Sequence, residues 1–364
     1  MKANEVDKYS DEKHLRVNVP KTKYLNMSNS NELQRDTIVV NSKLSIEAVD
    51  DSKGYNWLGF WLMHSNDVQL LIKFNLKKKM FNVVKYYEWL EMHADTPISI
   101  TIDVLYSCLF LSLLYSCECW GDVLSIKEDL LLIERKALKA ILVVKSGTTN
   151  ILLYVEICRP DLISLIKDRQ FNFIQKIFNT NRENAIVKAI YELYKRLITV
   201  REEDTFMMYY GNLESKNGIK DLKQKRDELL NSPQSMCTRY KSLIGIPDSN
   251  IFLYSALAND DNRKIITRWR LSSHPLYIET GRHNRPKIPR ERRLCMVCNT
   301  VEDEYHALYI CRAHQFIRNK YSNLLNSQTS VGNLLNPQSI EMIKNVARYL
   351  EEIENNMKIL GMIK

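Results

Sequence analysis

Four residues constrain this chain more than any others: Cys295, Cys298, His306 and Cys311, in the spacing C-x2-C-x7-H-x4-C. Two cysteines separated by two residues can grip one ion through a tight turn. A His and a Cys from a following short helix can then close a tetrahedral Cys3His shell. Thiolate and imidazole donors favour zinc over magnesium or calcium. Nothing nearby resembles an open fourth position with a general base, so the expected role is structural. His314 is a competitor to His306, although its spacing from Cys311 suits a one-helix arrangement less well. The cations Arg282, Arg285, Lys287, Arg290, Arg292 and Arg293 precede the first cysteine and are expected to lower the thiol pKa values. Glu302, Asp303 and Glu304 read as a solvated acidic turn. Small buried hydrophobic cysteines are the plainer alternative.

The rest of the chain reads as helix. With 364 residues it is long enough for two or three domains, and only 10 glycines and 9 prolines argue against a turn-rich β protein. A net charge of +9 suggests a polyanionic partner, nucleic acid first. Eight cysteines do not make an extracellular framework in a chain this long, so a reducing compartment fits best. The polar N-terminus does not suit a secretory signal, and the uncharged run 104–117 is short for a bilayer span. It reads as part of a buried helix ending at Trp120, apolar on nearly every side; Cys108, Cys117 and Cys119 lie in it.

Short β-rich pieces precede the helices, at 37–40 and 44–49, and an aromatic run at 55–63 contains Gly59. From about Asp67 the helical texture begins, with Lys73, Lys77, Lys78, Lys79 and Lys85 as either a solvated face or a phosphate-contact surface. Further helices are expected over 124–144, with Leu131, Leu132, Leu138, Ile141 and Leu142 inward, over 160–178 and over 184–200. Gly147, Thr148, Thr149 and Asn150 form a turn with a helix cap available, and Pro160 can occupy the first turn of its helix. Residues 201–250 look like shorter helices in a linker or looser domain. A long amphipathic helix closes the series at 338–360, with Ile340, Ile343, Val346, Leu350, Ile353, Met357 and Leu360 on one side.

Several of these pieces occur in a particular order: LRVNVPKTK (15–23), YNWLGFWL (55–62), LLYSCECWG (113–121), VEICRPDL (155–162), then RLSSHPLYIETG (270–281) leading into the cysteine cluster. Together they resemble the C-terminal half of a non-LTR (LINE-type) retrotransposon reverse transcriptase. In that family an L-x-x-N-x-x-K-T segment follows the palm's YADD box, and a Y-x-Y-L-G segment lies by the primer grip. The helical thumb contains L-L-Y-G-x-E-x-W-G, and a C-terminal domain carries a C-C-H-C zinc knuckle. The resemblance covers about residues 13–318. Trp57 stands where the family has Tyr, Ser116 where it has Gly, and Cys158 where E-L-G-R-P has Gly. No Tyr-x-Asp-Asp occurs in the chain, so the aspartates that clamp two metal ions in such polymerases are missing. Too little chain follows Cys311 for the restriction-like nuclease of some members.

The resemblance implies a mainly α fold with a short β remnant of a polymerase palm near the N-terminus. The expected parts are a palm remnant (1–66), a helical thumb-like domain (67–200), a helical linker or C-terminal domain (201–273), a basic arm with the zinc knuckle (274–318) and a C-terminal helix (319–364). By the same resemblance Lys21, Leu58 and Gly59 lie near a primer terminus. Nucleic-acid binding without polymerisation is the expected activity, with structural zinc, RNA or DNA as partner, no membrane, and an intracellular (cytoplasmic or nuclear) location. The basic residues Arg282, Arg285, Lys287, Arg290, Arg292 and Arg293 are expected to bind phosphates, and Tyr277, Tyr305 and Tyr309 either stack on bases or pack in the core. The alternatives are a zinc-stabilised structural or protein-interaction module, a decayed fragment, or an incomplete piece of a longer polymerase.

Overall fold

Ile343, Val346, Leu350, Ile353 and Met357 recur every three or four residues, and in the computed structural model they form the buried stripe of a long C-terminal helix. The structure describes residues 8–9, 12–14, 18, 21–24, 37–40, 44–49, 54–57, 60–62, 68–93, 96–120, 124–179, 235–245, 261–327 and 330–362. Among these the chain is mainly helical, with two small β-hairpins near the N-terminus. No helix among the described residues is long and apolar enough to cross a membrane. The helix expected over 184–200, most of 201–250, and Leu58 and Gly59 lie outside the described residues.

Strands β1 (Thr37–Val40) and β2 (Leu44–Glu47) pair antiparallel with Val40 opposite Leu44. The aromatic run does not make a single strand. It divides into β3 (Tyr55–Trp57) and β4 (Phe60–Leu62), antiparallel with Trp57 opposite Phe60. Helix α1 (Val68–Met92) docks on β4 through Asn75. Its amide carbonyl accepts the Trp61 N–H at 2.7 Å, and its NH2 donates to the Trp61 carbonyl at 2.8 Å. One buried side chain thus satisfies both backbone groups of a strand edge. Of the lysines on α1, Lys73, Lys77, Lys78 and Lys85 are exposed. The Lys78 ammonium lies 4.8 Å over the Trp61 ring and that of Lys79 lies 5.1 Å over Tyr115.

The segment expected as one helix through Trp120 is interrupted. Helix α2 (Ile98–Val104) runs into a wide π-helical stretch, Leu105–Phe110, and a short α turn, Leu111–Leu113. The chain breaks at Ser116, whose φ of 61 ends the run, and resumes as α3 (Cys117–Trp120). Leu105, Phe110, Leu113, Leu114 and Cys117 are buried, whereas Ile100, Leu111, Tyr115 and Cys108 are exposed, so the stretch is apolar on nearly every side but buried on one only.

Helix α4 (Leu124–Leu142) buries Leu130, Leu138, Ile141 and Leu142, but Leu132 points outward at 52% exposure because it falls on the face opposite that stripe. Helix α5 (Asn150–Ile157) has Thr149 at its N-cap without a side-chain hydrogen bond. It ends at Cys158, which adopts a left-handed conformation, φ 52 and ψ 40. Pro160 precedes the first turn of α6 (Leu162–Asn179). The cap is Asp161, whose carboxylate accepts the Ser164 N–H at 2.7 Å. Helices α7 (Ser235–Ile244) and α8 (Asp261–Arg270) follow, with α9 (Tyr277–Thr280) leading to the cysteine cluster. Beyond it lie α10 (Gln315–Lys320), α11 (Ser322–Ser327), α12 (Val331–Leu335) and α13 (Ile340–Ile359). Ser339 caps α13, accepting the Met342 N–H at 3.2 Å, while Ile340 and Leu360 at its ends are exposed.

Most of the buried apolar residues, from Ile72 to Met357, form one contiguous cluster, while Ile46 and Val49 by the first hairpin lie outside it. Several carboxylates are buried among the described residues. Glu134 on α4 is fully buried and accepts hydrogen bonds from Tyr106 (2.9 Å), Tyr154 (3.0 Å) and the Leu162 N–H (3.1 Å). Burial pushes its pKa up to about 7, with those donors acting in the opposite direction. A folded pKa above the ordinary value means stability that is fully present below the unfolded value and lost as pH rises through about 7. Gln can keep the geometry, its carbonyl taking Tyr154 and Leu162 and its NH2 facing Tyr106. Glu134→Gln is therefore expected to melt like the parent near about pH 5 and to exceed it near about pH 8 by up to about 3 kcal/mol. Glu302, also raised to about 7 by burial, leaves part of the slope in place. Thermal melts across that range check the sign, and a variant less stable than the parent at the higher pH would contradict it.

Candidate metal centre

The turn that holds the first two cysteines is set by backbone bonds. The Cys295 N–H donates to the Thr300 carbonyl at 2.7 Å and the Asn299 N–H to the Cys295 carbonyl at 2.9 Å. Leu294 and Val301 pair across its mouth. Asn299 takes the left-handed conformation the turn needs, φ 57, which Asn tolerates better than most residues. Asp303 then starts the second ligand-bearing segment. Its carboxylate accepts the His306 N–H and its carbonyl the Ala307 N–H, both at 2.9 Å. The segment His306–Ile310 is a wide π turn closed by the Cys311 N–H on the His306 carbonyl at 2.7 Å. A five-residue separation slightly exceeds one such turn, so His306 and Cys311 come to the same side.

The result is convergence. One donor atom from each of Cys295, Cys298, His306 and Cys311 lies within 4.8 Å of every other. The Cys311 sulfur is 3.7 Å from that of Cys295 and 3.8 Å from that of Cys298. Cys295 and Cys311 are 2% and 1% exposed. The imidazole is oriented by Thr300, whose hydroxyl is 3.1 Å from Nδ1. Its Nε2 is buried without a hydrogen-bond partner. An unpartnered ring nitrogen beside three thiols, with the other nitrogen held by a hydroxyl, is what a ligating His presents. These four residues fit a metal ion. His314 does not join them: it is buried, and its Nδ1 lies 2.9 Å from the Asn356 side-chain nitrogen.

The acidic triplet is not a solvated turn. Glu302 and Glu304 are 4% and 1% exposed. Glu302 accepts the Tyr277 N–H at 2.8 Å. Glu304 accepts from His274 Nε2 at 2.8 Å and forms an ion pair with Arg239, which also pairs with Glu279. Burial acts to raise Glu304, but His274 and Arg239 outweigh it and hold the carboxyl at about 2. Arg239 comes from α7 and His274 from the turn after α8, distant in sequence, so the triplet alone offered no sign of its partners.

The basic arm divides into two sets. Arg293 turns inward, donating from Nε to the Ile288 carbonyl at 2.9 Å and from Nη1 to the Ile278 carbonyl at 2.7 Å. Its stem crosses Gly281, where a Cβ would lie 3.0 Å from its Cγ. Arg282 pairs with Glu279 at 3.1 Å. Arg285, Lys287, Arg290 and Arg292 are exposed, and among the described residues the carboxylate within ion-pair range of them is Asp303, 4.0 Å from Arg290. The cation that acts to lower Cys298 is Arg312, from beyond the cluster. Against burial, which acts to raise this thiol, the Arg312 N–H (3.4 Å from the sulfur) and the other two cysteines hold it below its usual value.

Tyr305 is 52% exposed and stacks on half-buried Tyr309, ring centroids 5.5 Å apart at 26°. Tyr277 is half-buried against Gly281. Of the residues expected near a primer terminus, Lys21 is exposed and its carbonyl accepts the Tyr55 hydroxyl at 2.5 Å, which ties it to the start of β3.

A further buried pair was not foreseen from the sequence. Glu156 on α5 and Arg270 on α8 form a two-pronged bond, 2.6 Å from Nε and 3.2 Å from Nη2, with neither side chain exposed. Glu156 is the one charged residue in the α5 sequence NILLYVEI, and that isolation was the available signal. No family model, curated protein or solved structure matches the chain.

Proposed function

We propose that this chain binds RNA or DNA through a zinc-held basic arm, as the C-terminal part of a LINE-type reverse transcriptase without the polymerising aspartates. The observation that carries the reading is the set of exposed cations Arg285, Lys287, Arg290 and Arg292, anchored beside the Cys3His cluster by inward-turned Arg293. Zinc is favoured by the donor set. A tetrahedral ion about 2.3 Å from each sulfur separates the sulfurs by about 3.8 Å, which agrees with the 3.7 and 3.8 Å found. The resemblance itself gains support from backbone geometry. Ser116 and Cys158 stand where the family has Gly, and both adopt the positive φ that Gly favours. Under this reading residues 1–66 correspond to the palm remnant, 67–200 to the thumb, 201–273 to the linker, 274–318 to arm and knuckle, and 319–364 to the terminal helix. Three zinc thiolates suit a reducing, intracellular compartment.

Binding through four exposed cations gives a logarithmic salt slope of about −3. Arg290→Ala/Arg292→Ala should weaken binding of a structured RNA and flatten that slope by about half. Fluorescence anisotropy over a salt series checks both. No salt-sensitive binding by the intact chain would instead favour a protein-interaction module, a reading to which the internal roles of Arg282 and Arg293 lend weight.

A further inference from the structure

We infer that the face beside the metal cluster takes an unpaired base against Tyr305, so that the chain prefers single-stranded over double-stranded nucleic acid. This inference rests on the nucleic-acid reading above and adds what that surface selects. The Tyr305 ring is backed by the Tyr309 ring at 5.5 Å, and Tyr309 is tethered through its hydroxyl, which donates to the Ser330 carbonyl at 3.2 Å. A ring supported on one face and open on the other loses little freedom when a second ring stacks on it. The phosphate-binding side is close by. The arm returns alongside the start of this helical turn: Glu302 N–H donates to the Arg293 carbonyl at 2.9 Å, and Arg290 reaches within 4.0 Å of Asp303, two residues before Tyr305. Exposed Met296, Val297 and Ile310 add apolar surface beside the same cluster, at 74%, 50% and 53% exposure.

An acidic protein surface would satisfy the cations but leaves the open aromatic face without a planar partner. A duplex satisfies the cations while hiding the faces of its bases within the stack. A single strand supplies both phosphates and accessible base faces, and every base offers such a face, so little sequence preference is expected.

The test compares a short unstructured RNA with the same strand annealed to its complement, using the full chain loaded with zinc. Tyr305→Ala should weaken single-strand binding roughly 5- to 10-fold and leave duplex binding and the salt slope unchanged, while Tyr305→Phe, which keeps the ring, should retain single-strand affinity. Equal affinity of the intact chain for strand and duplex, or a Tyr305→Ala loss shared by both, overturns the base-stacking inference. In either case salt-sensitive binding that falls in Arg290→Ala/Arg292→Ala still upholds the broader reading. Absence of binding to both probes overturns the two together. Unchanged zinc content in each Tyr305 variant guards against a folding defect.

Discussion

Replacing Cys295 with Ser is expected to reduce bound zinc from one equivalent per chain to none and to release the segment that carries the cluster. Cys295 is 2% exposed, and its sulfur sits 3.7 Å from that of Cys311, so solvent has little access to take its place. Structural zinc in isolated fingers contributes about 10–16 kcal/mol, comparable to or larger than the whole stability of an ordinary domain. Here the loss is partly contained. The Leu308 carbonyl accepts the buried Tyr349 hydroxyl, and the Ala313 carbonyl accepts the Asn356 amide at 2.9 Å, so α13 holds the far side of the segment independently. The expected pattern under hydrogen exchange is therefore loss of protection at the Cys295, Asn299 and Cys311 amides before the α8–α13 pair. A chelator should reproduce it in the parent chain. His314→Ala tests the ligand assignment: its imidazole faces Asn356, so zinc content should remain at one equivalent, whereas His306→Ala should abolish it. Full zinc retention in Cys295→Ser, or none in the parent, would remove the basis of the centre.

The parts of this fold that were legible in the sequence are those set by near neighbours. The α13 stripe, the two β pieces that begin at Thr37 and Leu44 and the four metal-centre residues each depend on spacings within a few tens of residues. Leu132 shows the limit even there: consecutive leucines at 130–132 fit an inward stripe by composition, but helical rotation places Leu130 inside and Leu132 outside. The aromatic run at 55–63 reads as one strand when Gly59 is weighed as a close-approach glycine within it, although a central Gly equally marks a hairpin turn. The charged interior was opaque for a different reason. Glu304 and Glu302 look solvated when read alone. Their burial becomes tolerable only because Arg239, His274 and the Tyr277 amide reach them from segments far off in the chain. Periodicity carries no information about such partners. The arm was legible as a basic stretch but not as two sets, since only packing on Gly281 and the Ile278 carbonyl distinguishes Arg293 from Arg292.

The second large effect is expected at Glu156 and Arg270. Removing the carboxylate in Glu156→Ala should lower stability in urea unfolding by about 3–5 kcal/mol, because the guanidinium is left charged and buried. The site is also a junction. Arg270 donates from Nη1 to the Leu335 carbonyl at 2.9 Å and to the Asn336 side chain, while Tyr240 donates to Glu156. Helices α5, α7, α8 and the turn between α12 and α13 therefore meet at one ion pair. Replacing both charges, as in Glu156→Leu/Arg270→Met, should recover part of the loss, since apolar side chains of similar size remove the isolated charge. Recovery should be incomplete: the Leu335 carbonyl and the Tyr240 hydroxyl would lose buried partners, at about 1–3 kcal/mol each. The contrast is Arg159 with Asp103, an ion pair whose side chains are 43% and 55% exposed. Arg159→Ala should change stability by about 1 kcal/mol or less, because solvent already screens that pair. Equal losses in Glu156→Ala and Arg159→Ala would mean that the Glu156–Arg270 junction is as well solvated as the surface. A double variant no more stable than Glu156→Ala would assign the loss to packing and the severed hydrogen bonds instead of the stranded charge.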